Sequence, residues 1–375
     1  MATEMPIEVL NVPTPSFLVD IDKLERNARA MQDRCKHLGI QLRPHTKTHK
    51  TIEAADILCG GQKRCIAVST LAEADLYSDN GFDDILFAFV ITENKIVRCR
   101  QLHNKIGAFH VMLDSKVGYE ALEKSPTGNG KPWSVYIEID VKYHRTGVSW
   151  QSDDIVNLAS LISGNNGMTF RGLYCHNGDT YNYIGSEAIK EAGRESTEIL
   201  MKVKQRLLQH SINCGVVCMG STPSCSHPDE SMSLLEEFSP GNYVFYDVMQ
   251  KNIGSCSMDD IAGRVATRVI SQNVDHNILI IDCGFLAISK DGMENNLPKS
   301  PWIIQDNPNL RLVGMSQELG KVTTVEGKVD FAKYPIGTML FIYPYHSCAT
   351  AAMHPVYYVH SGDKIMAMWR PIRGW

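Results

Sequence analysis

The feature that most restricts this chain's fold is a repeated alternation. Short apolar runs of strand type give way to segments whose apolar residues recur at helical spacing. Gly39 to Leu42 precedes a helical pattern over Thr51 to Leu58, and Cys65 to Val68 precedes one over Leu71 to Ser78. Ile85 to Ala88, Phe109 to Leu113 and Val135 to Ile139 lead to patterns at Glu93 to His103, Tyr119 to Leu122 and Asp153 to Ile162. Phe170 to Tyr174 leads to the longest, about Ser186 to His210, and Gly215 to Met219 and Glu236 to Phe238 close the series. Strands alternating with helices at this spacing build parallel β/α units. Seven or eight of them in about 230 residues fit a closed β/α barrel of ~250 residues. An open doubly wound sheet usually begins with a glycine-rich first turn, and this chain has none.

Beyond Gly254 the pattern changes. Val265 to Ser271 and Ile278 to Asp282 are β-branched, with turn signals at Asp291-Gly292, Glu326-Gly327, Ile336-Gly337 and Ser361-Gly362. The expectation is an α/β chain: a β/α (TIM-like) barrel over residues 14–253, then an all-β domain over 254–375 that residues 1–13 join. Lys+Arg 37 against Asp+Glu 42 leaves a formal charge of −5 with no basic stripe, which argues against nucleic acid as a partner. The N-terminus lacks the pattern of a secretory signal, and Ile85 to Ile91 is too short to cross a bilayer. Eleven cysteines, irregularly spaced and without a Cys-x-x-Cys pair, read as reduced thiols in a cytoplasmic protein.

Chemistry concentrates at the first strand-to-helix turn, Arg43-Pro44-His45-Thr46-Lys47-Thr48-His49-Lys50. Ligands bind at the carboxyl ends of strands in β/α folds, and a desolvated lysine there can serve as amine nucleophile and base. A solvated basic loop is the plainer reading of the same residues. The run Arg-Pro-His-x-Lys-x-His-Lys resembles the cofactor segment of the D-serine dehydratase and D-threonine aldolase family, alanine-racemase-like enzymes that use pyridoxal phosphate (PLP). The resemblance extends from Pro13 to the C-terminus. It implies a PLP barrel followed by a β domain, with Lys47 as the lysine that holds the cofactor.

Two later loops suit a phosphate: Met219-Gly220-Ser221-Thr222-Pro223-Ser224 after the seventh strand and Ser239-Pro240-Gly241-Asn242-Tyr243 after the eighth. By the resemblance Ser221, Thr222, Gly241 and Asn242 hold it. Glu138 to Gly147 resembles the family's Asp-x(4)-Arg-x-Gly run, which would turn Arg145 toward the cofactor's phenolate oxygen; alone, Arg145 reads equally as a surface ion-pair residue. Tyr174 and Tyr181 match positions that line cofactor and substrate. His176 between them could meet the ring or be a satisfied core histidine.

The last constellation is Tyr343-Pro344-Tyr345-His346-Ser347-Cys348. In a strand, His-x-Cys presents both side chains on one face, and imidazole with thiolate suits zinc. A lone His-x-Cys is more often core. Its place in the family motif Pro-x-His-x-Cys implies that His346 and Cys348 bind the metal. Relatives usually read Glu-His-Gly where this chain has Glu318-Leu319-Gly320, so no site role is carried to that segment. The resemblance implies a homodimeric PLP- and zinc-dependent lyase that dehydrates D-serine to pyruvate and ammonia. A D-threonine aldolase or D-3-hydroxyaspartate dehydratase is the alternative on the same fold, and a non-catalytic PLP carrier is the rival from another class.

Overall fold

The computed structural model describes residues 5–293 and 300–375. The chain forms two compact units, one of residues 28–243 with 372–375 and one of residues up to 27 with 244–371. Strand β1 (Ser16–Asp20) belongs to the second.

The first unit is built on β2 (Gln41–Leu42), β3 (Ile66–Val68), β4 (Asp84–Val90), β5 (Ala108–Leu113), β6 (Trp133–Asp140), β7 (Val148–Ser149), β8 (Met168–Cys175), β9 (Val216–Met219) and β10 (Glu237–Phe238). Apart from β7, which pairs with β6, they lie in the order β2-β10-β9-β8-β6-β5-β4-β3. Every pairing in that order is parallel. A parallel bridge from His45 to Ala67, with Ala67 N donating to Pro44 O at 3.0 Å, joins the end of β2 to β3 and closes the ring. Buried strands need no polar face, which is why they read as near-continuous apolar runs. Ala67, Leu86, Met112, Tyr136, Tyr174, Val216 and Cys218 fill the interior together.

Charge also enters this barrel, and it is paired. Arg43, fully buried, donates through Nε and Nη2 to the two Glu237 carboxylate oxygens at 2.9 Å each, and through Nη1 to Asp84 at 2.7 Å. Tyr136 Oη donates to Glu237 at 3.3 Å. A buried charge without such partners is strongly destabilising. Here the fork ties β2 to β10 and β4, anchoring the strand that leads into Lys47.

The second unit carries β11 (Gly263–Asn273), β12 (Ile278–Ile281), β13 (Ile303–Ile304), β14 (Leu310–Met315), β15 (Gly320–Thr324), β16 (Met339–Tyr343), β17 (Tyr357–Ser361) and β18 (Lys364–Trp369). Their order is β14-β15-β12-β11-β1-β17-β18, with β16 pairing β11 and β13. The β1–β17 pair is parallel and the rest are antiparallel, a mixed sheet. Short helices at Val248–Ile253, Phe285–Ile288 and Ser347–Ala352 accompany it, so the unit is not purely β.

Both expected domain limits move. The sequence pattern places residues 14–27 in the barrel, but β1 takes hydrogen-bonded partners on both edges, β11 and β17. Residues 244–253 likewise leave the barrel unit. Val248 N donates to Pro344 O and Met249 N to Tyr345 O, both at 3.0 Å.

Candidate active site

In the barrel unit, Lys47 stands on a single 3-10 turn, Thr46–Thr48, directly after β2. His45 caps that turn, its Nδ1 accepting from Lys47 N at 3.4 Å, while His45 N donates to Pro240 O at 2.9 Å. The lysine segment is thus fastened to the loop after β10. In that loop a Cβ on Gly241 would stand 3.1 Å from His45 O, 3.2 Å from His45 Cβ and 3.6 Å from Lys47 Cε. Only glycine leaves that space beside the lysine open.

Lys50 is differently occupied. Its backbone is left-handed, at φ 55°, and its Nζ lies 3.2 Å from Glu73 Oε2. Glu73, fully buried, also accepts from Ser69 N (3.2 Å), Thr70 N (2.9 Å) and Thr70 Oγ1 (3.0 Å) on Oε2, and from Thr46 Oγ1 on Oε1 (2.9 Å). It is at once the capping-box residue of helix Leu71–Asp79 and the counter-ion of Lys50.

Two neutral imidazoles flank Lys47. Burial holds His45 well below the usual histidine range, and the Lys47 charge acts in the same direction. Burial, with Lys47 and Arg145 nearby, brings His176 down to about 3. His176 Nδ1 lies 2.8 Å from Gly220 O. A carbonyl only accepts, so Nδ1 carries the proton and Nε2 keeps its lone pair. Arg145 is exposed and sits over the Tyr143 ring at 5.3 Å, and Tyr143 meets His176 edge-on at 5.5 Å. Tyr143 was not anticipated. A Cβ on Gly178 would stand 2.6 Å from that ring, a close approach that the sequence does not signal.

The remaining barrel residues divide into two groups. Ser221 Oγ is engaged with Thr180 Oγ1 at 2.7 Å and Ser224 Oγ at 2.9 Å, and Thr222 Oγ1 accepts from Tyr243 N at 3.2 Å. Both hydroxyls are buried, and the loops after β9 and β10 meet there, with Asn242 buried in the second. Tyr174 is in the barrel interior, where burial pushes its phenol well above the ordinary range against a hydrogen bond with Ser239. Tyr181 is half-buried on the turn Gly178–Asn182. Glu138, also unanticipated, lies buried two residues before the end of β6, with Thr146 Oγ1 donating to it at 3.0 Å. Burial raises its carboxyl to about 7.

In the second unit, His346 and Cys348 meet, but not on a strand. β16 ends at Tyr343, His346 is the extended N-cap residue (φ −130°, ψ 102°), and Cys348 lies in the first turn of helix Ser347–Ala352. Proline at 344 leaves no N–H to continue a ladder. Burial disfavours the His346 cation, but Cys348 and a hydrogen bond to Asp291 outweigh it and push the imidazole up to about 11. Among the described residues no group of three His, Cys, Asp or Glu side chains is arranged to hold a metal, so this site is a pair. All eleven cysteines are free thiols, and among the described residues no helix is long and apolar enough to cross a membrane.

A closed parallel barrel with a lysine after its first strand, followed by a mixed sheet unit, defines the alanine-racemase-like class of PLP proteins. Residues 19–247 match the family described as "Alanine racemase, N-terminal domain", and residues 262–360 match a "Putative serine dehydratase domain". The chain is 36% identical over 392 residues to the D-serine dehydratase of Dictyostelium discoideum, covering 98% of both chains. It is 30% identical over 377 residues to the D-threo-3-hydroxyaspartate dehydratase of Delftia sp., covering 98% of this chain and 99% of the other. The solved structure of that dehydratase superposes with a TM-score of 0.92 over 99% of this chain and 100% of the other, at 28% identity. A D-threo-3-hydroxyaspartate dehydratase variant with cysteine replaced by alanine, solved in a metal-free form, superposes with a TM-score of 0.91 at 28% identity, covering 98% of this chain and 100% of the other. The chain belongs to the D-serine dehydratase and D-threonine aldolase family.

Proposed function

We propose that this protein is a PLP- and zinc-dependent lyase that removes water from D-serine, giving pyruvate and ammonia. The observation that carries the reading is the setting of Lys47 at the end of the first barrel strand. Glu73 engages Lys50, while Lys47 stands beside the Gly241 turn between two neutral histidines. That space is the fit for PLP. Lys47 would hold it, and Ser221, Thr222, Gly241 and Asn242 would surround its phosphate. Arg145, Tyr174 and Tyr181 would border the ring and the substrate. When bound, PLP supplies an electron sink that acidifies the α-hydrogen of an attached amino acid.

Lys47 has two tasks in sequence. Its Nζ would hold the cofactor, and as a free amine it would be the base that takes the proton from the substrate Cα. The neutral rings of His45 and His176 add no positive charge against that proton. The C–H electron pair forms the Cα–Cβ double bond as the C–O bond at Cβ breaks, hydroxide departs, and the released enamine hydrolyses to pyruvate and ammonia.

Hydroxide is a poor leaving group. His346 and Cys348, an imidazole and a thiol already in contact, are a donor set suited to zinc, which acts as a Lewis acid when bound. Two protein ligands leave other positions for water and substrate. A D-threo-3-hydroxyaspartate dehydratase with cysteine replaced by alanine is described in a metal-free form, which supports considering a metal in this family. The match to the Delftia dehydratase also favours a second reading, water loss from D-3-hydroxyaspartate, which would yield oxaloacetate. The free thiols support a cytoplasmic setting, and a homodimer completes the reading. Incubating the loaded enzyme with either substrate and identifying the keto acid separates the two, and glycine with an aldehyde would indicate an aldolase.

A further inference from the structure

Beside the candidate metal pair stand two carboxylates that belong to neither ligand. Asp291 Oδ2 lies 2.6 Å from His346 Nδ1. Ionised carboxylate oxygens only accept, so Nδ1 is the protonated nitrogen. In the neutral ring the lone pair is then on Nε2. A ligating histidine is commonly oriented in this way by a partner on its other nitrogen. Asp291 is itself held, its N–H donating to Ser289 Oγ at 3.0 Å.

The second carboxylate, Asp247, acts on the residue between the two ligands. Its Oδ2 accepts from Ser347 N at 2.9 Å and Ser347 Oγ at 3.2 Å, and its Oδ1 accepts from Gln250 N at 2.9 Å. The backbone changes from extended at His346 to helical at Ser347. Two side chains at i and i+2 converge across such a change only while that turn is fixed.

We propose that Asp291 is a positioning residue for the metal. It presets His346 to offer Nε2, while Asp247 holds the Ser347 turn that brings Cys348 alongside. This rests on the metal reading of His346 and Cys348. It goes further by naming the ligating nitrogen and the group that selects it. Asp291 is half-exposed, so its removal does not empty a core.

The test is zinc affinity of the full-length, PLP-loaded protein, measured by competition with a chromophoric chelator, with cofactor absorbance and Tm recorded beside it. Asp291→Ala should weaken zinc ~10–100-fold, the usual effect of losing such an outer partner. Cofactor absorbance and Tm should stay at wild-type values. Asp291→Asn, which restores an acceptor without the charge, should recover most of the loss. Ser347→Ala, which keeps the backbone donor, should weaken zinc less than Asp291→Ala. A wild-type protein that binds no zinc overturns the metal reading and this inference together. Wild-type binding that Cys348→Ala abolishes and Asp291→Ala leaves unchanged overturns the inference alone.

Discussion

Replacing Gly241 by alanine probes the lysine site with a single methyl group. The added Cβ would stand 3.1 Å from His45 O and 3.2 Å from His45 Cβ, tighter than ordinary carbon contacts by a few tenths of an ångström, and 3.6 Å from Lys47 Cε. His45 cannot withdraw freely, since its N–H is bonded to Pro240 O and its backbone bridges to Ala67. Overpacking of this kind typically costs about 1–3 kcal/mol. In the apoprotein the 45–48 turn can yield and relieve part of that strain. With PLP held by both Lys47 and the phosphate loops, the turn is fixed and the strain remains. PLP affinity should therefore fall roughly 5–150-fold, since every 1.4 kcal/mol is a factor of ten. The apoprotein Tm should fall by less than the holoprotein Tm. Absorbance titration of the apoenzyme with PLP measures the affinity directly. An alanine variant that binds PLP as tightly as wild type would refute the claim that this turn bounds the cofactor space.

Three further outcomes are expected. Borohydride treatment of the yellow holoenzyme should fix the cofactor onto the peptide containing Lys47, specifically at that residue; recovery on Lys50 would contradict the division of roles set by Glu73. Chelation, or Cys348→Ala, should abolish pyruvate formation while the PLP absorbance remains, and exchange of the α-hydrogen with solvent should partly survive because it needs only Lys47 and the cofactor. Normal turnover after either treatment would remove zinc from the account. Glu138, raised from 4.5 to about 7, keeps a proton in the folded state that the unfolded chain releases. Its contribution to apoprotein stability should thus decline as pH rises from about 4.5 through 7, by on the order of 3 kcal/mol in all. Urea midpoints measured across that range should show the decline in wild type and a flatter profile in Glu138→Gln, and identical profiles would be the wrong result.

Much of the barrel was legible because a buried parallel strand is nearly all apolar, as Ile85 to Phe87 and Val216 to Met219 are. The same property hid the position of β1. Ser16–Asp20 reads as a buried strand in any sheet, and only its pairing with β11 and β17 assigns it to the second unit. His346 and Cys348 meet as their i, i+2 spacing implies, but across a strand-to-helix change and not on a strand. A strand and a strand-to-helix change can both bring i and i+2 together, and Pro344 is the only local hint of the second. What the chain concealed are residues that work through distant partners. Glu73 is 23 positions from Lys50 and Asp291 is 55 from His346, separations at which spacing carries no information. The motif singles out Lys47 over Lys50, and the pairing of Lys50 with Glu73 is visible only in the fold.

The proposed mechanism has a lysine-held cofactor and the His346–Cys348 pair together expel hydroxide from D-serine. Its most direct measurement is the product balance of the PLP- and zinc-loaded enzyme on D-serine. Pyruvate by lactate dehydrogenase coupling and ammonia by glutamate dehydrogenase coupling should accumulate in equal amounts, with both lost in Lys47→Ala. Glycine in place of pyruvate, or no consumption of D-serine by enzyme that turns over D-3-hydroxyaspartate to oxaloacetate, would contradict it.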